Sequence, residues 1–206
     1  MPKKVNLAVL GSTRGTDLQA VIDAIEKKQL NAEIKIVISN KADAFILERA
    51  RNHKLNAVFL DPKGKSREDY DKELIRMIEK NKVDLILLIG YMKILSKNFV
   101  DKYKNKCLNT HPSLLPAFAG GMDKNVHEEV LKSRVKETGC TLHFITEEAD
   151  KGPILLQKKV PVSENETVDS LKEKVQKAEQ EIILEGIRLF GENKIKIENN
   201  KTKILN

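Results

Sequence analysis

A chain of 206 residues is long enough to bury a real core, in one large domain or two small ones. Charged residues make up 33% and aromatics only 4%, with no Trp, which predicts a heavily charged surface over an aliphatic core. The net charge of +7 suits nucleic acid, an anionic membrane or a phosphorylated small substrate, but the lysines are scattered without a long like-charge block, which favours a solvated surface over a nucleic-acid stripe.

Residues 5–10 (VNLAVL) are a short apolar run, read as a buried strand; they are too few for a signal peptide. The run breaks at Gly11, Ser12, Thr13, Arg14, Gly15, Thr16 and Asp17, then passes into helical spacing at Leu18, Val21, Ile22 and Ile25. A strand, a small polar loop and a helix in that order aim free backbone N–H groups at an anion. Thr16 or Asp17 is the expected helix cap. Neither GxGxxG nor GxxxxGK[ST] is met, and a plain strand-to-helix turn fits the spacing equally well.

Residues 34–38 (IKIVI) predict a second strand, and a helix follows over about 42–53 with Phe45, Ile46 and Ala50 on its inner side. Residues 57–60 are a third strand, and a helix opening at Ser66 carries Leu74, Ile75 and Ile78 at helical spacing. Residues 84–89 (DLILLI) are a continuous apolar strand of the kind buried on both faces. No apolar run approaches the roughly 20 residues of a membrane span. Strands alternating with helices predict an α/β fold: a single domain with a mostly parallel, twisted, Rossmann-like sheet and flanking helices. Ligands in such sheets lie beyond the carboxyl ends of the strands. The Gly11 loop, the Gly90 loop and the stretch after Cys107 are therefore expected to converge.

Residues 107–121 read CLNTHPSLLPAFAGG. A strand through Thr110 puts Asn109 and His111 on one face, and Pro112 ends it. His111 is then expected at the strand exit, partly exposed. An Asn donates to a developing oxyanion and a His moves a proton near neutral pH. For the pair alone, a satisfied Asn and His at a strand end is the simpler reading. Cys107 and Cys140 lie in apolar runs as small hydrophobes and build neither a disulfide framework nor a CxxC metal site.

Residues 125–131 read as a short helix with His127 on the surface. Residues 138–146 and 154–162 read as strands flanking a polar turn, with His143 a packed strand histidine. Residues 167–190 predict one long amphipathic helix, and Glu179 falls within its apolar stripe, where a carboxylate needs a partner or a ligand. The expected division is residues 1–190 as the domain and 191–206 as a peripheral tail with a weak IKI strand.

Several segments taken together carry a specific resemblance: SxxGTxLQ at 12–19, SNKADAFxLERA at 39–50, SRExYD at 66–71, GYMKIL at 90–95, LNTHPSLLPAF at 108–118 and HFITEEADKGPILLQ at 143–157. Over about residues 5–190 the chain resembles the folate-dependent formyltransferases, and among them the phosphoribosylglycinamide branch. The resemblance implies the formyltransferase fold with its long C-terminal helix. It also implies formyl transfer from 10-formyltetrahydrofolate to the amine of glycinamide ribonucleotide in de novo purine biosynthesis, with no metal. On that basis Asn109 and His111 are the catalytic pair, and Asp150 is the carboxylate that favours the charged histidine; from the residues alone Asp150 is a turn residue. Gly15, Thr16 and Asp17 match the loop that holds the substrate phosphate, and Glu179 a residue that contacts the glycinamide. Arg67, Met92, Lys93, Ile94, Leu95 and Asn109 match the folate side. The implied partners are the two small-molecule substrates, with no nucleic acid and no membrane, in a cytoplasmic monomer or homodimer.

Three segments depart from the family pattern. Thr13, Arg14 and Asp17 are unusual in the phosphate loop, Lys93 stands where Arg is commoner, and residues 119–123 replace the more usual PGxH. Asp17 brings negative charge toward an incoming phosphate, so the expectation is that backbone N–H groups around residues 15–17 hold the phosphate while Arg14 offsets Asp17. The alternative within the same chemistry is another 10-formyltetrahydrofolate enzyme, either a tRNA or sugar-nucleotide formyltransferase or a formyl-folate hydrolase. These usually carry an extra domain, for which the chain has no room. Outside enzymes, the alternative is a silent phosphate- or nucleic-acid-binding module.

Overall fold

The computed structural model describes residues 3–120 and 124–205. Its elements run β1 (Val5–Gly11), α1 (Thr16–Glu26), β2 (Ala32–Ser39), α2 (Phe45–Asn52), β3 (Ala57–Phe59), α3 (Arg67–Lys80) and β4 (Leu85–Ile89). There follow α4 (Lys97–Lys102), β5 (Cys107–His111), α5 (Lys124–Lys132), β6 (Glu137–Phe144), β7 (Ile154–Pro161), α6 (Val168–Gly191), β8 (Ile195–Glu198) and β9 (Lys201–Ile204). The mostly parallel sheet is present, in the order β3-β2-β1-β4-β5-β6-β7. Strands β1 to β5 pair in parallel, and β6 runs antiparallel between β5 and β7.

The two-residue period of the strands sorts their apolar side chains into two cores. Val5, Leu7 and Val9 of β1 and Leu85, Leu87 and Ile89 of β4 face one layer, with Leu18, Ile46, Val130 and the stripe of α6. Ala8 and Leu10 of β1 and Ile86 and Leu88 of β4 face the other, with Tyr70, Leu74 and Ile78 of α3 and Phe99 beside them. In α6 that stripe is Leu171, Val175, Ile182, Ile183 and Ile187, all buried. Each contributes about 1.5–3 kcal/mol of apolar burial. Its N-terminus is closed by a reciprocal Thr167–Ser170 capping box.

The chain leaves β1 for β2 and β3 on one side, then crosses back to β4 and β5 on the other. That reversal opens a crevice beyond Gly11 and Ile89, which pair in register. All three expected loops lie at this end of the sheet.

Four local expectations are corrected. Helix α2 begins at Phe45, not near residue 42, and Phe45 is 43% exposed, because the buried face runs through Ile46, Leu47 and Ala50. Its ring lies under the Arg49 guanidinium. His127 is 1% exposed, not on the surface: it neighbours Val126 and lies three residues from Val130, on the side of α5 that meets the core. Helix α4, capped by Ser96, was not expected. Beyond α6 the chain forms a β8–β9 hairpin in place of a lone weak strand, with Thr202 donating to the Ile154 carbonyl of β7. Residues 121–123 of the unusual segment lie outside the described residues. Among the described residues, no helix is long and apolar enough to cross a membrane.

Candidate active site

The loop after β1 is shaped by one glycine. Gly15 has φ +65°, and a Cβ there would sit 2.4 Å from Cγ1 of Ile46, so no other residue fits without displacing α2. The N-cap of α1 is Gly15 itself, not Thr16 or Asp17, which are already inside the helix. A glycine has no side chain to cap with. The first turn of α1 therefore starts without a side-chain cap. Arg49 donates from Nε to the Arg14 carbonyl at 3.4 Å, and Gln176 of α6 donates to the Thr16 hydroxyl. Arg14 is exposed, whereas Asp17 is buried.

The Gly11 and Gly90 loops do converge. The Ser12 amide donates to the Gly90 carbonyl at 3.1 Å, and the buried Ser12 hydroxyl accepts from the Met92 amide at 2.9 Å while donating to Asn40 Oδ1 at 2.5 Å. The segment from Met92 to Leu95 bridges β4 to α4, with Met92 and Ile94 exposed, Ile94 at 71%. Lys93 Nζ stands 4.7 Å from the centre of the Tyr70 ring, in cation–π range. Arg67 opens α3 nearby, largely exposed.

Next along the sheet, Asn109 pairs with Leu88 of β4 on one side and His143 of β6 on the other. His111 is 3% exposed, not partly exposed as expected. The cause is the proline-rich segment folding back over it: Phe118 O accepts from His111 Nε2 at 3.0 Å. That fold-back is fixed by Thr141, whose hydroxyl donates to Ser113 O at 2.7 Å and accepts from the Leu115 amide at 3.0 Å. The Leu115–Pro116 bond is cis.

A carbonyl only accepts, so Nε2 of His111 carries a hydrogen and Nδ1 is left to face Asp150 Oδ2 at 3.4 Å. His143 repeats the arrangement. Its Nδ1 donates to Phe144 O at 3.0 Å, leaving Nε2 3.2 Å from Asn109 Nδ2 and 3.6 Å from Asp150 Oδ1. The shorter contact is a hydrogen bond from the amide when Nε2 is bare, and the longer one attracts the carboxylate when Nε2 carries a proton. Asp150 thus faces two imidazoles and accepts from the Gly120 amide at 2.9 Å. Its carboxyl is held below the usual carboxylate range, first by His143 beside it; burial opposes, and Gly120 and His111 assist.

Asp150 itself is set by the turn that carries it. Its φ is +58°, a conformation Asp tolerates better than most residues. Two residues on, a Cβ at Gly152 would sit 1.6 Å from Phe144 O, so the turn can press against β6 only with glycine there.

Glu179 is half-buried on α6 and, with Asp17 of α1, adds to the upward push that burial gives the Cys140 thiol of β6. That places Asp17 and Glu179 within electrostatic reach of Cys140 on β6. His143 was missed as a site residue. Its register opposite Asn109 was the available signal, but strand alternation reports burial, not partners.

Residues 5–187 match the protein family described as formyl transferase. The chain belongs to the formyl transferase family. It is 41% identical over 95% of its length to phosphoribosylglycinamide formyltransferase of Escherichia coli K12, covering 92% of that protein. It is 40% identical over 97% of its length to the trifunctional purine biosynthetic protein adenosine-3 of Bos taurus, of which it spans only 20%. The structure of glycinamide ribonucleotide transformylase 1 from Symbiobacterium toebii superposes with a TM-score of 0.94 at 39% identity, covering 98% of this chain and 95% of that one. The formyl transferase resemblance read from the motifs is borne out over nearly the whole sheet.

Proposed function

We propose that this chain transfers the formyl group of 10-formyltetrahydrofolate to the amine of glycinamide ribonucleotide, in de novo purine biosynthesis. The observation that carries this reading is the pairing of buried His111 with Asp150, joined to Asn109 through His143, at the end of the sheet where the loops after β1 and β4 meet. The names of relatives covered over most of their length support it. In this reading the amides of Gly15, Thr16 and Asp17 hold the phosphate of the ribonucleotide, and Glu179 contacts its glycinamide end. Arg67, Met92, Lys93, Ile94 and Leu95 take the folate.

The amine attacks the formyl carbon, and the carbonyl oxygen becomes an oxyanion that Asn109 Nδ2 and a protonated His111 stabilise. Asp150 holds the proton-bearing His111 by facing its Nδ1. The carbon–nitrogen bond to the folate then breaks, and the proton lost by the attacking nitrogen ends on the departing folate nitrogen, through His111 or water. Buried surroundings strengthen each of these charge interactions. Incubation with 10-formyltetrahydrofolate and glycinamide ribonucleotide tests the reading by following tetrahydrofolate release. Release that needs the amine supports it. Release with water alone makes the chain a hydrolase, and no release under either condition overturns the reading.

A further inference from the structure

Apart from Arg67, the SRExYD segment at 66–71 has no part in the reading above, yet it holds a buried carboxylate. Asp71 is 1% exposed in the first turns of α3, on the side away from solvent. Its Oδ2 accepts from the Ser96 amide at 2.5 Å, across the layer from its own helix. Ser96 is the residue at which the loop after β4 ends, and its hydroxyl caps α4 by accepting from Phe99 N at 3.3 Å. Beside Asp71, the Tyr91 hydroxyl donates to the Tyr70 hydroxyl at 3.3 Å, and Lys93 rests on the Tyr70 ring. The opposite end of the loop is held by Ser12, which accepts from Met92 N. Between these two posts Met92 and Ile94 are held out with their apolar surface exposed.

Burying a carboxylate is unfavourable unless its position is used. Burial pushes Asp71 up; the Ser96 amide and the charges of Lys93 and Arg67 pull the other way. The same two cations belong to the folate side of the site. Among the described residues, no hydrogen-bond partner reaches Asp71 Oδ1, so the anchoring rests on Ser96 at the other oxygen.

We infer that Asp71 is a positioning residue for the folate co-substrate: through Ser96 it fixes the carboxyl end of the 91–96 loop, which carries Lys93 and the exposed Met92 and Ile94. The inference rests on the functional reading above. Asp71 touches no reacting atom, so its loss acts on folate affinity and leaves the ribonucleotide site alone. Asp71→Ala, which leaves the Ser96 amide without its acceptor, is expected to raise the KM for 10-formyltetrahydrofolate by roughly tenfold, equivalent to about 1.4 kcal/mol. The KM for glycinamide ribonucleotide should stay within about twofold of wild type. Asp71→Asn keeps an oxygen for the amide and loses only the charge, so its folate KM should rise about threefold. The Kd of tetrahydrofolate, measured by calorimetry on the same proteins, should follow the same order and needs no turnover. A merely structural Asp71 would lower the melting temperature and the active fraction without separating the two substrates. Equal changes in both KM values, or an unchanged folate KM and Kd in both variants, overturn the inference. If Asp71→Ala does not fold, Asp71→Asn decides by the same criterion. Wild-type turnover with glycinamide ribonucleotide preserves the functional reading whichever way the variants behave.

Discussion

Nδ1 of His111 stands 3.4 Å from Oδ2 of Asp150, while the far nitrogen of the same ring is tied to the Phe118 carbonyl. The second contact makes the first informative. A ring free to flip would offer either nitrogen to the carboxylate; this one offers only Nδ1, because Nε2 must keep its hydrogen for a carbonyl. A proton arriving at Nδ1 would meet a carboxylate oxygen directly, on the strand face that also carries Asn109.

His111→Ala is expected to lower turnover by roughly 10²–10⁴-fold, the range for a positioned acid–base group. Steady-state kinetics with both substrates measures this. Wild-type turnover in a folded variant would remove His111 from the mechanism.

Asp150 predicts an acid-side stability effect whose sign follows from its lowered carboxyl. A folded-state value below the ordinary 3.8 means the unfolded chain takes up the proton first. The stabilising contribution is therefore complete above that ordinary value and is lost as pH falls through the lower folded one. Asp150→Asn keeps the positive-φ turn, since Asn adopts it readily, but has no such titration. Urea denaturation from about pH 5 down to about pH 2.5 should show a shallower loss for the variant than for wild type. Parallel curves would mean that Asp150 is not charged differently by folding.

The glycine that shapes the phosphate-type loop gives a prediction of its own. Gly15→Ala places a Cβ against Ile46 at a φ of +65°, and strain of this kind costs roughly 1–3 kcal/mol. If the α1 amides hold the phosphate, KM for glycinamide ribonucleotide should rise by roughly tenfold or more while folate affinity holds. A variant that folds and keeps its ribonucleotide KM would move the phosphate elsewhere.

Thr141 tests how the proline-rich segment is held over His111. Its buried hydroxyl serves three groups, Ser113 O, Leu115 N and Gln157 Nε2, the last at 2.9 Å. Thr141→Val keeps the shape and leaves these groups unsatisfied, at about 1–3 kcal/mol. Chemical denaturation reads the loss. A change below about 0.5 kcal/mol would mean that the segment is held by its apolar contacts instead.

The sheet was legible because its signal is local: LILLI in β4 can only be a strand buried on both faces, and the stripe of α6 can only be helical. The crevice was legible because loops at the carboxyl ends of parallel strands must meet. The site's coverage was not. That His111 is buried depends on Phe118 folding back seven residues later, held by Thr141 thirty residues away, and no periodicity records such a contact. His127 was misplaced because its two neighbouring glutamates suggested a solvated face, whereas the burial of Val126 and Val130 turned the histidine inward. Helix α4 is too short, at 6 residues, for spacing to reveal; only its Ser96 cap marked it.

His143 gives the last prediction, because packing and chemistry pull it in different directions. The ring is 2% exposed, so a phenyl ring of similar size would fill the space and lose no apolar contact. Against that, His143→Phe leaves Phe144 O without the donor it now has at 3.0 Å and Asn109 Nδ2 without its acceptor at 3.2 Å. The buried Phe144 carbonyl left unsatisfied costs about 1–3 kcal/mol, which outweighs what the more apolar ring gains, so the variant should be the less stable. Its effect on Asp150 separates a structural from an electrostatic role. His143 is the first cause of the lowered Asp150 carboxyl, and with it gone burial should push that carboxyl back up. The Asp150 side-chain carboxyl, followed by carbon-detected NMR as pH is lowered, should then titrate at higher pH than in wild type. Turnover should fall by roughly 10–10²-fold, as Asn109 loses the contact that aims its amide at the oxyanion. An Asp150 titration that does not move, in a variant that folds, would reduce His143 to the packed strand histidine its alternation suggests.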